Sequence, residues 1–189
     1  MQWSNNRLYA MEELGDTGAK VHIYDEHFSQ WGSWLVRKKV CDLAVNNEQV
    51  YLCTATCNIL VFSTDGHFQY EIEGDLGQRI THHSKADMLV ITNHSSDTVS
   101  FLNGRTKEVE WTIEVEKPWG AYVDEYEAIW VWSEFNQEFE IYDSKGEFVQ
   151  SAGHPRMIGI GEINTCCVHS GYLWMGYDGG IYRFAVGFR

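Results

Sequence analysis

The chain reads as all-β, a β-propeller of five blades with about four antiparallel strands each. Three observations predict this. One strand motif recurs about every 40 residues, a second motif keeps the same beat, and no window shows sustained helical periodicity. A sandwich or jelly roll would also supply many short strands, but neither predicts two independent markers locked to one period.

The first marker is an apolar, usually aromatic, apolar run. It occurs as Leu8-Tyr9-Ala10-Met11, Val50-Tyr51-Leu52-Cys53, Leu89-Val90-Ile91-Thr92, Ile129-Trp130-Val131-Trp132 and Leu173-Trp174-Met175-Gly176, with second positions 42, 39, 40 and 44 residues apart. The second marker is Ile23-Tyr24-Asp25, Val61-Phe62-Ser63, Phe101-Leu102-Asn103, Ile141-Tyr142-Asp143 and Ile181-Tyr182-Arg183, spaced by 38, 40, 40 and 40. Turn formers follow it, as in Ser63-Thr64-Asp65-Gly66, Asn103-Gly104 and Asp143-Ser144-Lys145-Gly146. There Gly supplies positive φ and Asp, Asn or Ser caps the turn. Strands are expected after these turns at 30–35, 68–72, 109–113 and 148–151, and before the first marker at 41–45, 79–83, 120–123 and 165–169. Each unit thus has strands A to D, with the markers on B and C. The units run approximately 1–36, 37–74, 75–115, 116–152 and 153–189, read as a single domain. The first unit has only MQWSNN ahead of its B strand, and the last has only 184–189 after its C strand. Met1–Ser4 as an inner strand or 184–189 as an outer one would close the ring; otherwise it stays open, with sheet edges for a second subunit to cover.

The stretch DTVSFLNGRTKEVEWTIEVEKPWGAYVDEYEAIWVW resembles a YVTN-type propeller repeat. CDLAVNNEQVYLCTATCNILVFSTDGHFQYEIEG and AIWVWSEFNQEFEIYDSKGEFVQSAG are similar to NHL-type repeats, and together these cover residues 41–153. The resemblance implies blade geometry. Propellers of these kinds serve as interaction platforms, carbohydrate binders and occasionally enzymes, so function must be argued from the site.

Composition excludes some classes. Acidic residues outnumber basic ones 27 to 14, a net charge of −13, which opposes nucleic-acid and anionic-membrane binding. No apolar run approaches the roughly 20 residues of a membrane span, and the N-terminal residues lack the apolar stretch of a secretory signal. Five cysteines cannot all pair within one chain, so reduced thiols and a cytoplasmic setting are expected.

The searched catalytic motifs are missing: no Gly-rich phosphate loop, no G-x-S-x-G and no H-E-x-x-H. Cys53 and Cys57 flank a hairpin turn but lack a second pair to complete a zinc site, and strand alternation separates Cys166 from Cys167 and His82 from His83. Glu138 and Glu140 read as one wet strand face. No catalytic residue, metal or cofactor is expected.

Binding residues are sought on the D-to-A and B-to-C loops, which share one rim. Six of the fourteen basic residues fall on D-to-A loops, and Trp119 follows Pro118 at the mouth of the channel. The predicted contact set is Arg37, Lys38, Arg79, Trp119, Phe135, His154, Arg156 and Tyr177. The leading expectation is a non-enzymatic interaction or scaffolding subunit of a larger assembly, cellular or viral, that binds a protein partner or further copies of itself. A carbohydrate-binding propeller is the alternative, followed by a metal-dependent hydrolase or lactonase with its site in the channel.

Overall fold

Short runs of β-branched and aromatic residues, cut by Asp, Asn, Ser and Gly, give 19 strands among the described residues, in five antiparallel sheets. The computed structural model describes residues 1–153, 163–169, 172–177 and 180–185, with the backbone alone at 163–165, 167–169 and 177. The first sheet runs β1 (Gln2–Ser4), β2 (Arg7–Glu13), β3 (Ala19–Tyr24), β4 (Gln30–Val36). The second is β5 (Val40–Val45), β6 (Gln49–Thr54), β7 (Ile59–Ser63), β8 (Phe68–Ile72), and the third β9 (Arg79–His83), β10 (Met88–Asn93), β11 (Thr98–Asn103), β12 (Val109–Glu114). The fourth is β13 (Pro118–Val123), β14 (Ile129–Ser133), β15 (Glu138–Tyr142), β16 (Phe148–Ala152), and the fifth β17 (Ile163–His169), β18 (Tyr172–Tyr177), β19 (Gly180–Ala185). Every sheet is a meander in chain order, as blades require.

The chain is therefore a β-propeller with four blades of four antiparallel strands. The expectation of five such blades is corrected: the fifth sheet has three strands among the described residues. Phe184, expected in a fourth, outer strand, lies instead in the third strand, β19, opposite Leu173. At the other end, Gln2–Ser4 does form the inner strand of the first blade, Trp3 facing Leu8.

The side-chain period of two sends alternate residues of each blade to its two neighbours. Four cores result, one per seam. Tyr9, Val21 and Ile23 meet Val50, Leu52 and Phe62 between the first two blades. Tyr51, Cys53 and Val61 meet Leu89, Ile91 and Leu102 at the next. Val90, Val99 and Phe101 then meet Ile129, Val131 and Tyr142. Finally Trp130, Trp132 and Phe139 meet Leu173 and Met175. Each fully buried side chain of this size contributes about 1.5–3 kcal/mol, so the seams, rather than the individual sheets, carry the stability.

The turns between C and D strands fold for the expected reason. Oδ1 of Asp143 accepts from the backbone N–H of Lys145 and Glu147, and Oδ1 of Asn103 from Arg105 and Thr106. Asp25, not foreseen as a cap, does the same for His27 and Ser29. Gly66 (φ +88°) and Gly146 (φ +80°) supply the left-handed turn, and each lies under an outer-strand tryptophan of the preceding blade: an added Cβ would stand 2.7 Å from Trp34 and 2.5 Å from Trp111. Gly104 serves differently. Its place is set by space, since a Cβ there would sit 2.5 Å from the Asp87 carbonyl oxygen, while Lys107 takes the positive φ of that turn.

In the fifth sheet the second marker slips. Ile141 stands opposite Trp130, but the residue opposite Trp174 is Arg183, and Ile181 faces Gly176. Two residues separate Tyr177 from Gly180 where four separate Ser133 from Glu138, but the markers themselves lie 7 residues apart, Trp174 to Ile181, instead of 11, Trp130 to Ile141, so the shorter turn absorbs half of the change and Ile181 stays two positions out of register.

Candidate functional site

The five inner strands converge on one axial cavity of about 340 Å³, lined by residues of β1, β5, β9, β13 and β17, among them Gln2, Asp42, Arg79, Trp119, Trp132 and Cys166. Its mouth is shaped by β-bulges. Register shifts between Val40 and Asp42, between Pro118 and Gly120, and between Ile163 and Thr165 leave Cys41, Trp119 and Asn164 as extra residues at the start of three inner strands.

Arg79, the first residue of β9, spans two seams. Its Nη1 donates to the Cys41 carbonyl oxygen of the second blade (3.1 Å), and its guanidinium carbon lies 5.2 Å from the Trp119 ring of the fourth. Beside it, both Asp42 oxygens accept backbone N–H groups, Oδ1 from Leu43 (2.8 Å) and Oδ2 from Ile80 (3.0 Å). Burial pushes the Asp42 carboxyl above its ordinary value, opposed by those two N–H groups and by Arg79.

Trp119 is braced from the other side by His94, edge-on at 5.5 Å, whose Nε2 is 2.8 Å from Oε2 of Glu134. Lys117 fastens the approach. Its backbone N–H and its ammonium both reach Oδ1 of Asp97 (3.0 and 3.1 Å), and these contacts hold the Asp97 carboxyl below its ordinary value, the backbone hydrogen bond foremost. The indole N–H groups of Trp119 and Trp132 are buried without an acceptor among the described residues.

Of the predicted contact set, the structure brings together Arg79 and Trp119. Phe135 stands 68% exposed on the turn that begins with Glu134, so it joins the same rim. Arg37 is exposed, and Lys38 is committed to Glu71 at 2.7 Å. His154 and Arg156 lie outside the described residues, and Tyr177 is placed as backbone at the end of β18. Sequence reasoning missed Asp42, His94 and Asp97. His94 opens a B-to-C turn, the right loop class, but no spacing links it to Trp119, from which it is 25 residues away.

Elsewhere, Cys41, Cys53 and Cys57 are free thiols, Cys53 fully buried and Cys57 half-buried on its turn. Burial raises the Cys53 thiol well above its ordinary value, the setting of an inert core cysteine. Glu138 and Glu140 are half-buried, not wet, because they lie toward a blade seam; Glu140 accepts from the Tyr142 hydroxyl at 2.5 Å. Among the described residues no group of three or more His, Cys, Asp or Glu is disposed to hold a metal ion, and no helix is long and apolar enough to cross a membrane.

The fold is shared with solved structures at low identity. A chain in the crystal structure of a mitotic checkpoint complex superposes with TM-score 0.69 at 12% identity, over 98% of this chain and 60% of that one. BamB from Moraxella catarrhalis gives 0.63 at 11%, over 95% and 59%, and hydrazine synthase from Kuenenia stuttgartiensis 0.70 at 13%, over 91% and 52%. The chain thus spans 52–60% of the length of these neighbours, and the likeness is one of fold. No family profile and no curated protein matches it by sequence.

Proposed function

We propose that this propeller, read as YVTN- or NHL-like in its repeats, is a non-enzymatic interaction module of a larger assembly, docking a protein partner on the end face around the channel mouth. The carrying observation is Trp119. It is half-buried, turned into the mouth by a bulge, and fixed between Arg79 and His94, with exposed Phe135 on the same rim. A rigid aromatic with a neighbouring arginine is the usual anatomy of an interface anchor. One fold neighbour is a chain of a mitotic checkpoint complex, which agrees with this reading, while another is a hydrazine synthase, so the fold itself does not decide.

A second feature supports assembly. On the face of the fifth sheet turned away from the fourth blade, Tyr172 and Trp174 are each 38% exposed and Ile181 78%. Further copies of this chain or another subunit would cover it. Free thiols favour a reducing, cytoplasmic setting.

The full chain, immobilised and exposed to extract of its native source, is expected to retain a defined protein that the Trp119→Ala, Phe135→Ala double variant loses at least tenfold. Unchanged capture by a variant with native circular dichroism and melting would reject this surface.

Carbohydrate binding stands as a second reading because of the opposite end of the molecule. A polar cavity of about 890 Å³ there is lined by amides and aromatics, including Trp3, Asn46, Asn47, Gln49 and Tyr70. A glycan array read with wild type and Trp3→Ala tests it, and a blank array removes it.

A further inference from the structure

The axial cavity combines features that the partner reading does not use. Its walls carry apolar surface from Leu43, Ile80, Ala121 and Trp132, and its volume of about 340 Å³ is at the small end of ligand pockets. Its polar groups are unbalanced. Arg79 spends one N–H on the Cys41 carbonyl oxygen and makes no ion pair among the described residues, although the chain has 27 acidic residues. Asp42 is the near carboxylate, but each of its oxygens already accepts a backbone N–H. A guanidinium has five N–H donors in a planar fork, so Arg79 keeps donors without a protein acceptor, bordering a cavity that the half-buried Trp119 also lines.

We infer that the channel binds a monocarboxylate with a flat apolar body, the carboxylate on Arg79 and the body against Trp119. A planar fork meets a carboxylate with two parallel hydrogen bonds. A phosphate fits less well, since one arginine is the only Lys or Arg lining the cavity among the described residues. The carboxylate comes either from a free small acid or from the C-terminus of a peptide. The inference shares Arg79 and Trp119 with the docking surface but does not depend on it: acid binding would stand even if capture of a protein partner were indifferent to Trp119.

Isothermal titration of the full chain with 4-phenylbutyrate and its amide, and with acetyl-Gly-Gly-Phe as free acid and as amide, tests it. At least one acid is expected to bind saturably and at least tenfold more tightly than its amide. Arg79→Gln should lose that preference, Arg79→Lys should keep part of it, and Lys145→Gln should leave it unchanged. Binding of phenylbutyrate alone points to a small acid; binding of the peptide acid points to a protein terminus. In ¹⁵N spectra the indole resonance of Trp119 should move with the acids and not with the amides, a readout that needs no variant. No saturable binding by either acid, equal binding of acid and amide, or full binding by a folded Arg79→Gln protein would each overturn the inference.

Discussion

The fourth and fifth sheets carry the same strand marker and meet opposite fates. Trp130 is 1% exposed, its ring in the seam and its indole N–H on Oδ2 of Asp124 at 2.8 Å, while Trp174, in the equivalent place one blade on, is 38% exposed. Opposite Trp130 stands Ile141; opposite Trp174 stands Arg183, whose guanidinium lies 4.7 Å from the Tyr172 ring and 5.4 Å from that of Trp174. The difference teaches that a propeller repeat has no fixed burial of its own. The neighbour decides whether an aromatic is core or surface, and an arginine is tolerated on a face that no blade covers among the described residues.

The largest expected effect breaks or confirms this contrast directly. Trp130→Ala should lower unfolding free energy by about 3–5 kcal/mol, the usual cost of emptying a buried aromatic site. Trp174→Ala should cost well under half of that in urea titrations at low protein concentration. Equal losses would mean that the fifth face is covered in solution.

A smaller effect separates packed turns from the open mouth. Gly66→Ala and Gly146→Ala each force a Cβ against a tryptophan at positive φ, and about 1–3 kcal/mol of destabilisation is expected. Gly120→Ala, with ordinary φ and nothing within 4 Å of the new Cβ, should stay within about 0.5 kcal/mol in the same thermal melts.

The smallest effect is one of pH. Burial lowers the His82 pKa from its ordinary 6.5, with Asp87 opposing and His83 and Lys107 assisting. The unfolded chain therefore takes up the proton first as pH falls, so stability should decline from about pH 6.5 downward until the folded imidazole also protonates. His82→Gln should flatten that slope between pH 7 and 5.5, and an unaltered slope would place the titration elsewhere.

Blade periodicity was legible because it is written in local chemistry. Alternation marks the strands and side-chain caps mark the turns, as Ser63, Asn103 and Asp143 show. The fifth unit misled because the second marker kept its 40-residue spacing while the first moved to 44, so the two fell out of register and Arg183 rather than Ile181 stands opposite Trp174. The mouth was half legible. Pro-Trp-Gly announced Trp119, whereas Asp42 and His94 join it only through contacts between blades that no local pattern encodes.

The extra residues at Cys41, Trp119 and Asn164 occupy positions that the sheet ladder skips. Trp119 nevertheless packs against the seam between the fourth and fifth sheets, so its bulge frees the backbone from the ladder without freeing the side chain from the core. A substitution at Trp119 would therefore alter the channel mouth and the adjoining seam together, so that evolution could retune recognition there only by repacking the neighbouring blade as well.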